Sequence, residues 1–306
     1  MKKKKYILLA VALLLIVITA GIGAHFYPRW KSAETLQNNL DFAHYSCELE
    51  AELDRKELSE SQNNFIEILA KLMGLQEGDL YRLTVKENAW EDKLHILIYP
   101  KGTSEPLIEL YSNGDATVVN ETILYNAFRT RVVSQYPLLS YLMPEQEEDL
   151  YMTLEQVEQI FGIDLSAIHD FPLSFSDREF TAKHWFAMLA SMSRKKQEDG
   201  NLFELVTEQV QVRFHISAGE DTSAVTIQFS VRDIKDTFAD KKDLFSRIGM
   251  QMSDEQIRIL KSFDMTLMSG EGKEFVMPTN LVNQSTVDLI SEIRAKIGEV
   301  IEGLSD

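Results

Sequence analysis

The sequence predicts an α+β protein in which a curved, half-barrel-like antiparallel sheet packs against several helices and follows one transmembrane helix. Three patterns predict this class. Stretches of alternating apolar and polar residues recur in two groups, other stretches carry apolar residues at intervals of three and four, and a basic start precedes a long uncharged apolar run. The alternating groups indicate two antiparallel meanders, and the other stretches indicate the helices that cover them.

The N-terminal segment predicts a membrane anchor. Residues 6–24 carry no charge and, at about 1.5 Å per residue, span roughly 28 Å, close to the hydrocarbon thickness of a bilayer. Four lysines precede this run, so residues 1–5 are expected to form a cytoplasmic basic tail and residues 25–306 one extracytoplasmic α+β domain at the cell membrane. A signal peptide cleaved near Ala20 is the alternative, and both interpretations export the domain.

Composition narrows the class of partner and the compartment. The formal net charge is −17, although four of the lysines lie before the anchor, so the exported part is strongly acidic. This charge disfavours nucleic acid and anionic lipid surfaces as partners. Cys47 is the only cysteine, which excludes an intramolecular disulfide and, with the anchor, favours a bacterial cell-surface protein. Its place in an alternating run predicts a buried, small apolar residue.

The first meander begins after a short helix predicted over residues 32–40. In the stretch 45–53 every second residue is apolar and the residues between them are polar, which is the period of a strand with one wet face. Further strands are predicted over the alternating residues from Tyr81, Leu94, Leu107 and Thr117. The last two flank Asn113-Gly114, a hairpin signal because both residues tolerate positive φ.

Four helices are predicted between the strands, from apolar stripes and from capping residues. They cover residues 61–73, 122–134, 153–161 and 176–196. Gly74 offers a C-terminal stop for the first, and Thr153 with Gln156 forms a capping-box pattern for the third. The fourth is expected to end in Arg194 and the two lysines after it, because positive charge complements the C-terminal end of the helix dipole.

The second meander and a last helix complete the chain. Its first strand is predicted from Val206, Val210, Val212, Phe214 and Ile216, its second from Val225, Ile227, Phe229 and Val231, and its third from Phe263, Met265 and Leu267. Residues 269–273 are interpreted as a hairpin turn. The final helix starts near residue 285 and places Ile290, Ile293, Ile297, Val300, Ile301 and Leu304 on one face.

The sequence lacks the common catalytic and metal-binding signatures. None of the six histidines lies within a helical turn of another, so no zinc-binding helix is predicted. Ser193 and Lys196 have the spacing of a penicillin-recognising serine enzyme, yet the K-T-G element is missing. We therefore expect no enzyme, no cofactor and no metal ion. A hydrolase site assembled in three dimensions around His95, His184 or His215 is the remaining catalytic hypothesis.

Three parts of the chain carry a resemblance to a known family. They are the helix-to-strand opening over residues 32–53, the hairpin over residues 110–115, and the late strands around Phe214 and Phe229. In the order of these elements the exported domain resembles the LolA-like lipoprotein carriers, over most of its length and without a diagnostic motif. The resemblance implies a half-barrel whose concave apolar face, closed by helices, binds an acyl chain or another hydrophobic ligand.

The candidate ligand-binding residues are six apolar residues that alternate in the second meander. They are Val210, Val212, Phe214, Val225, Ile227 and Phe229. Ordinary core packing is the alternative role, because any strand packed on a helix shows the same alternation. The expected function is a noncatalytic, membrane-anchored binding module for a hydrophobic ligand or a cell-envelope partner. A structural or regulatory subunit of a membrane complex, docked through the last helix or the acidic surface, is the second hypothesis.

Overall fold

The centre of the protein is an open antiparallel sheet of eleven strands, which confirms the predicted α+β class. The structure, a computed structural model, describes residues 25–76, 78–161, 174–175, 180–217, 224–237 and 250–292. The strands are β1 (His44–Leu53), β2 (Arg82–Trp90), β3 (Lys93–Pro100), β4 (Ile108–Ser112), β5 (Thr117–Asn120), β6 (Tyr151–Thr153), β7 (Ser174–Phe175), β8 (Ser193–Lys196), β9 (Gly200–Val206), β10 (Val210–Ser217), β11 (Val225–Arg232), β12 (Met250–Gln251) and β13 (Leu260–Ser269).

The strand order joins the two predicted meanders through β1. Across the main sheet it is β6-β5-β4-β3-β2-β1-β13-β11-β10-β9-β8, and β7 pairs with β12 in a separate two-stranded sheet. Strand β1 therefore lies between β2 and β13 near the middle of the sheet. Leu49 of β1 sits opposite Val85 on one side and Met265 on the other, so the apolar residues of all three strands share one face.

The described helices are α1 (residues 25–39), α2 (Glu60–Met73), α3 (Glu121–Gln135), α4 (Leu154–Phe161), α5 (Ala182–Ala190), α6 (Asp254–Ile259) and α7 (residues 284–292), with 3-10 turns at Asp79–Tyr81 and Pro137–Tyr141. Helices α1, α4, α5, α6 and α7 pack on this apolar face, whereas α2 and α3 form a smaller separate core with Leu80 and Leu107. Helix α5 packs Trp185 on Phe214, with ring centroids 6.1 Å apart. Helix α1 is fixed to α5 by Arg29, which donates to the carbonyls of Leu189 (3.3 Å) and Met192 (3.1 Å).

Capping contacts fix several helix ends, of which the stop at Gly74 and the box at Thr153 were predicted. Ser59 and Gln62 form a capping box at the start of α2, and Gly74 ends that helix with φ of 68°. Asn120 caps α3 by accepting from the amide of Ile123. At α4 the predicted box is present, with the Gln156 amide donating to Thr153 (3.3 Å) and the Thr153 amide donating to Gln156 (3.1 Å).

The prediction of one helix over residues 176–196 is wrong. Within the described residues α5 begins after its cap Thr181 and ends at Ala190, and Arg194 to Lys196 belong to β8. Pairing with β9 decides this, since Arg194 sits opposite Phe203 and Lys195 forms an ion pair of 2.5 Å with Glu204. The basic residues therefore bind a neighbouring strand rather than a helix end.

Val206 does not belong to the strand predicted for it. A tight turn, in which the Thr207 amide donates to the Val210 carbonyl (2.8 Å), separates β9 from β10. Val206 ends β9 and is 63% exposed, whereas Val210 begins β10 and is buried. The alternation of apolar and polar residues continues by chance across this turn, so Val206 was assigned to the wrong strand. Strand β9 was not predicted.

Residues 270–283 form an extended strap instead of the predicted hairpin turn. The Asn88 side chain binds both the amide (2.7 Å) and the carbonyl (2.8 Å) of Lys273, and Phe275 packs near His95 and Tyr111. The strap then bonds to Tyr151 in β6, with the Val282 amide 2.8 Å from the Tyr151 carbonyl. It thus runs from β13, near the middle of the sheet, to β6 at one edge and covers the polar face of the strands between.

Two predicted segments fall outside the described residues. They are the anchor over residues 6–24 and the part of the last helix from Ile293 onward. The described part of that helix, α7, packs Val287 into the main core. Among the described residues, no helix combines the length and the apolar character needed to cross a membrane.

Candidate functional site

The six predicted ligand-binding residues lie together in the core. The register pairs Val212 with Phe229 and Phe214 with Ile227, so all six share the helix-covered face of β10 and β11. Each is at most 2% exposed. A hydrophobic ligand could reach them only after the elements above them, including α5 with Trp185, had moved. Their role as ligand contacts stays a prediction.

The same apolar face holds a buried carboxyl group. Glu87 of β2 accepts a hydrogen bond from the Tyr45 hydroxyl, and burial raises the pKa of Glu87 to about 7. Burial also raises the pKa of the Tyr45 hydroxyl. Cys47 sits opposite Glu87 across the β1–β2 pair and is buried, as predicted, with the pKa of its thiol raised well above the usual range. A thiol of this kind is a poor nucleophile.

The histidines that the structure describes do not assemble into one site. Three of them each bind one carboxylate at separate places, in the pairs His44–Asp41 (2.8 Å), His95–Glu109 (2.8 Å) and His215–Asp199 (3.3 Å). His184 stacks on Phe180. Across the ranges that the structure describes, no group of three histidine, cysteine or acidic side chains could hold a metal ion.

The pair of His95 and Glu109 has the most partners of the three. Glu109 also accepts from the Tyr111 hydroxyl (3.0 Å) and from the Asn120 amide (2.7 Å), and these bonds, that of His95 first, lower the pKa of Glu109. The His95 ring stacks on Tyr111 with centroids 4.3 Å apart, and Phe275 of the strap lies beside both. This arrangement binds the strap to the sheet.

The uncovered face of the sheet carries a polar groove of about 400 Å³ between β1, β13, β11 and β10. Two of its charged side chains are neutralised, because Arg213 binds Glu204 (2.9 Å) and Asp264 binds Arg232 (2.9 Å). Glu48 and Glu50 also line the groove and are exposed. The surface is therefore wet and acidic.

A short exposed segment after α3 stands out from the rest of the surface. In this displayed segment, residues 136–142, the exposed fractions are 62% for Tyr136, 81% for Leu138, 87% for Tyr141 and 78% for Leu142. Large apolar side chains gathered in this way on a surface mark an interaction site more often than isolated ones do. The segment is the strongest candidate site in the described chain.

The displayed segment has a defined backbone. Pro137 begins a 3-10 turn that runs to Tyr141, and the amides of Leu139 and Leu142 donate to the carbonyls of Tyr136 (2.9 Å) and Leu139 (3.0 Å). Proline suits this first position because its fixed φ fits the turn and its missing amide hydrogen leaves no donor unpaired. The segment thus satisfies its own backbone without a neighbouring strand.

Side chains of α3 hold the chain that follows the displayed segment. Arg129 donates to the Met143 carbonyl (2.7 Å) and Tyr125 to the Pro144 carbonyl (2.9 Å). Asn126 both donates to the Gln146 carbonyl (2.9 Å) and accepts from its amide (3.1 Å), and Thr122 accepts from the Leu150 amide (2.9 Å). Residues 143–150 are therefore fastened along one side of the helix.

This fastened stretch is acidic. Its exposed charged side chains are Glu145, Glu147, Glu148 and Asp149. Glu145 lies 3.7 Å from Arg129, an ion pair that offsets part of its charge. Within the part of the chain that the structure describes, Glu147 and Glu148 form no ion pair. The apolar segment therefore has a fixed acidic border.

Sequence reasoning missed the displayed segment, because the predicted helix over residues 122–134 ends just before it and no element or site was assigned between that helix and the next one. The available signal was a short apolar run, Leu138-Leu139 with Tyr141-Leu142-Met143, that lacks the period of a strand and is too short for a core helix. Comparisons with protein-family models, with curated proteins and with solved structures found no match to this chain.

Proposed function

We propose that this chain is a membrane-anchored, noncatalytic binding module that recognises a protein partner in the cell envelope. Residues 6–24 anchor it with the N-terminus in the cytoplasm, and the sheet, curved as a half-barrel with helices on its apolar face, stands outside. The observation that carries the proposal is the exposure of Leu138, Tyr141 and Leu142 beside a core that buries other apolar residues of similar size.

The chemistry of the displayed segment suits protein recognition. Tyrosine and other aromatic side chains are enriched at the centres of protein interfaces, where they supply a large contact area. Each aromatic side chain buries about 150–250 Å² when covered, so Tyr136 and Tyr141 alone offer on the order of 300 Å². Arg129, Asn126 and Tyr125 hold the adjoining chain in place, which lowers the entropy lost on binding.

A hydrophobic ligand on the helix-covered face is less well supported. The protein itself already buries the six residues predicted for it, so no ligand is needed to shield them from water. The alternative of a structural or regulatory subunit of a membrane complex, docked through the last helix or the acidic surface, requires permanent association. Co-purification with the partner at equal stoichiometry would favour the subunit, and dissociation during purification would favour the module.

Site-specific photo-crosslinking of the full chain tests the proposal. A photoreactive amino acid replaces Leu138 in one variant and Val276 of the strap, which is 82% exposed, in a matched control. We expect one protein adduct at position 138, formed in the membranes of the cells that make the protein, and none at position 276. The adduct should decrease when Tyr141 and Leu142 are both changed to serine. Equal labelling at the two positions, or none at either, would contradict the proposal.

A further inference from the structure

Resting on the proposed function, we infer that the partner presents an apolar pocket bordered by lysine or arginine side chains. The arrangement of side chains in the displayed segment indicates the apolar pocket on the partner. In a 3-10 turn, side chains three residues apart lie on the same side, so Leu138 and Tyr141 project together. Leu139, between them, is partly buried. The surface that covers Leu138 and Tyr141 is therefore expected to be apolar, with a hollow that receives both side chains.

The negative charge beside the displayed segment indicates the basic border of the partner's pocket. The bonds from α3 hold the acidic stretch parallel to the helix from Arg129 back to Thr122, a distance of about 10 Å at 1.5 Å per residue. Glu147 and Glu148 are exposed along it. On a partner that covers Leu138 and Tyr141 and reaches along this stretch, a cationic rim would attract these carboxylates, whereas an acidic rim would be repelled.

The same charge disfavours two other occupants. A two-fold contact between copies of this chain would bring two acidic stretches into one interface, between proteins that each carry a net charge of −17. Anionic lipid headgroups would be repelled by Glu147 and Glu148 as the apolar side chains entered the membrane. A basic-rimmed protein surface meets both requirements, apolar contact and charge complementarity.

The expected interface is larger than the segment itself. A stable protein complex buries about 800 Å² on each partner, more than the exposed side chains of residues 136–142 supply. The acidic stretch and the exposed side of α3, where Phe128 is 40% exposed, provide the adjoining surface. The apolar side chains then act as the anchor, and the acidic side chains steer and orient the partner.

Charge reversal in the crosslinking experiment tests this inference. The full chain carries the photoreactive group at position 138, together with Glu147→Lys and Glu148→Lys, in the native membranes. We expect the adduct yield to fall about tenfold, because complementary charge raises association rates by about tenfold or more. In the unreversed chain the yield should fall as salt is raised. The matched control is Glu50→Lys, an exposed carboxylate on the sheet face, which should leave the yield unchanged.

The outcomes separate the inference from the proposed function. A protein adduct whose yield responds neither to charge reversal nor to salt would overturn the basic rim and leave the binding module standing. An adduct with a second copy of this chain, or with lipid, would overturn both. Loss of the adduct in the unreversed chain would remove the proposed function itself. Loss in the Glu50→Lys control as well as in the double reversal would show a general effect of net charge and would also overturn the inference.

Discussion

Strand β10 and the displayed segment contain apolar side chains of similar size but differ in exposure. Phe214 in β10 is completely buried, whereas Tyr141 in the segment is 87% exposed. Strand β10 lies between two other strands and under α5, while the segment closes its own hydrogen bonds in a 3-10 turn at the end of α3. The difference shows that apolar composition alone identifies neither a core nor a binding site. What covers the residues decides between the two.

The largest effect on stability is expected for a buried residue of β10. Phe214→Ala should lower the free energy of unfolding by about 3–5 kcal/mol, because it removes a buried ring and leaves a cavity against Trp185. Urea denaturation of the full chain in detergent micelles, followed by tryptophan fluorescence, measures the change. A loss below about 1 kcal/mol would mean that the covered face is loosely packed and would revive the hydrophobic-ligand hypothesis.

The next prediction tests whether the covered face is dry. The folded pKa of Glu87 is raised to about 7, above its ordinary value of 4.5, so the folded protein binds a proton more tightly than the unfolded chain. The resulting stability is fully present below about pH 4.5 and is lost as the pH rises through 7. It amounts to about 3 kcal/mol, from roughly 1.4 kcal/mol per pKa unit.

Glu87→Gln should abolish this contribution to the pH dependence. The difference in the free energy of unfolding between the variant and the original chain, measured from pH 4.5 to 8, isolates Glu87 from the other carboxylates. We expect the free energy of unfolding of Glu87→Gln to rise relative to that of the original chain as the pH increases from about 4.5 to 7. Glu50→Gln, at an exposed carboxylate of the same sheet, serves as the control for the loss of one carboxyl group. Parallel curves for Glu87→Gln would show that water reaches this carboxyl.

A smaller effect is expected where α3 holds the displayed segment. Arg129→Ala removes the donor to the Met143 carbonyl and should destabilise the protein by about 1–2 kcal/mol. Hydrogen exchange at the amides of Leu142 and Met143 should become faster, since those residues lose their attachment to the helix. Arg232→Ala, which breaks an exposed ion pair with Asp264, is the control and should cost less than about 1 kcal/mol. Unchanged hydrogen exchange in Arg129→Ala would mean that the 3-10 turn stays ordered without its hydrogen bond to α3.

The smallest effect on stability is expected in the displayed segment itself. Tyr141→Ala should change the free energy of unfolding by less than about 0.5 kcal/mol, because the side chain leaves little contact behind. The same denaturation measurement as for Phe214→Ala makes the comparison direct. A destabilisation as large as that of a core residue would show that Tyr141 is packed against the protein in solution, and the docking proposal would then lose its support.

Local features of the fold were predictable because they depend on nearby residues. The alternation of apolar and polar residues predicted β1, and Asn113-Gly114 predicted the hairpin of β4 and β5. Gly74 predicted the end of α2. Prediction failed where local signals were ambiguous. Arg194 followed a helix and was read as part of it, and Val206 continued an alternation across a turn. In both places pairing with another strand decided the outcome.

The sequence by itself determined the α+β class, most strands and helices, several caps and the buried state of Cys47. These follow from side-chain period and from hydrogen bonds between residues a few positions apart. The tertiary structure alone decided that β1 pairs with β13, that the strap crosses to β6, and that residues 136–142 stand exposed beside an acidic stretch fastened to α3. Those features depend on contacts between distant parts of the chain, and on which surfaces other elements cover, which no local pattern records.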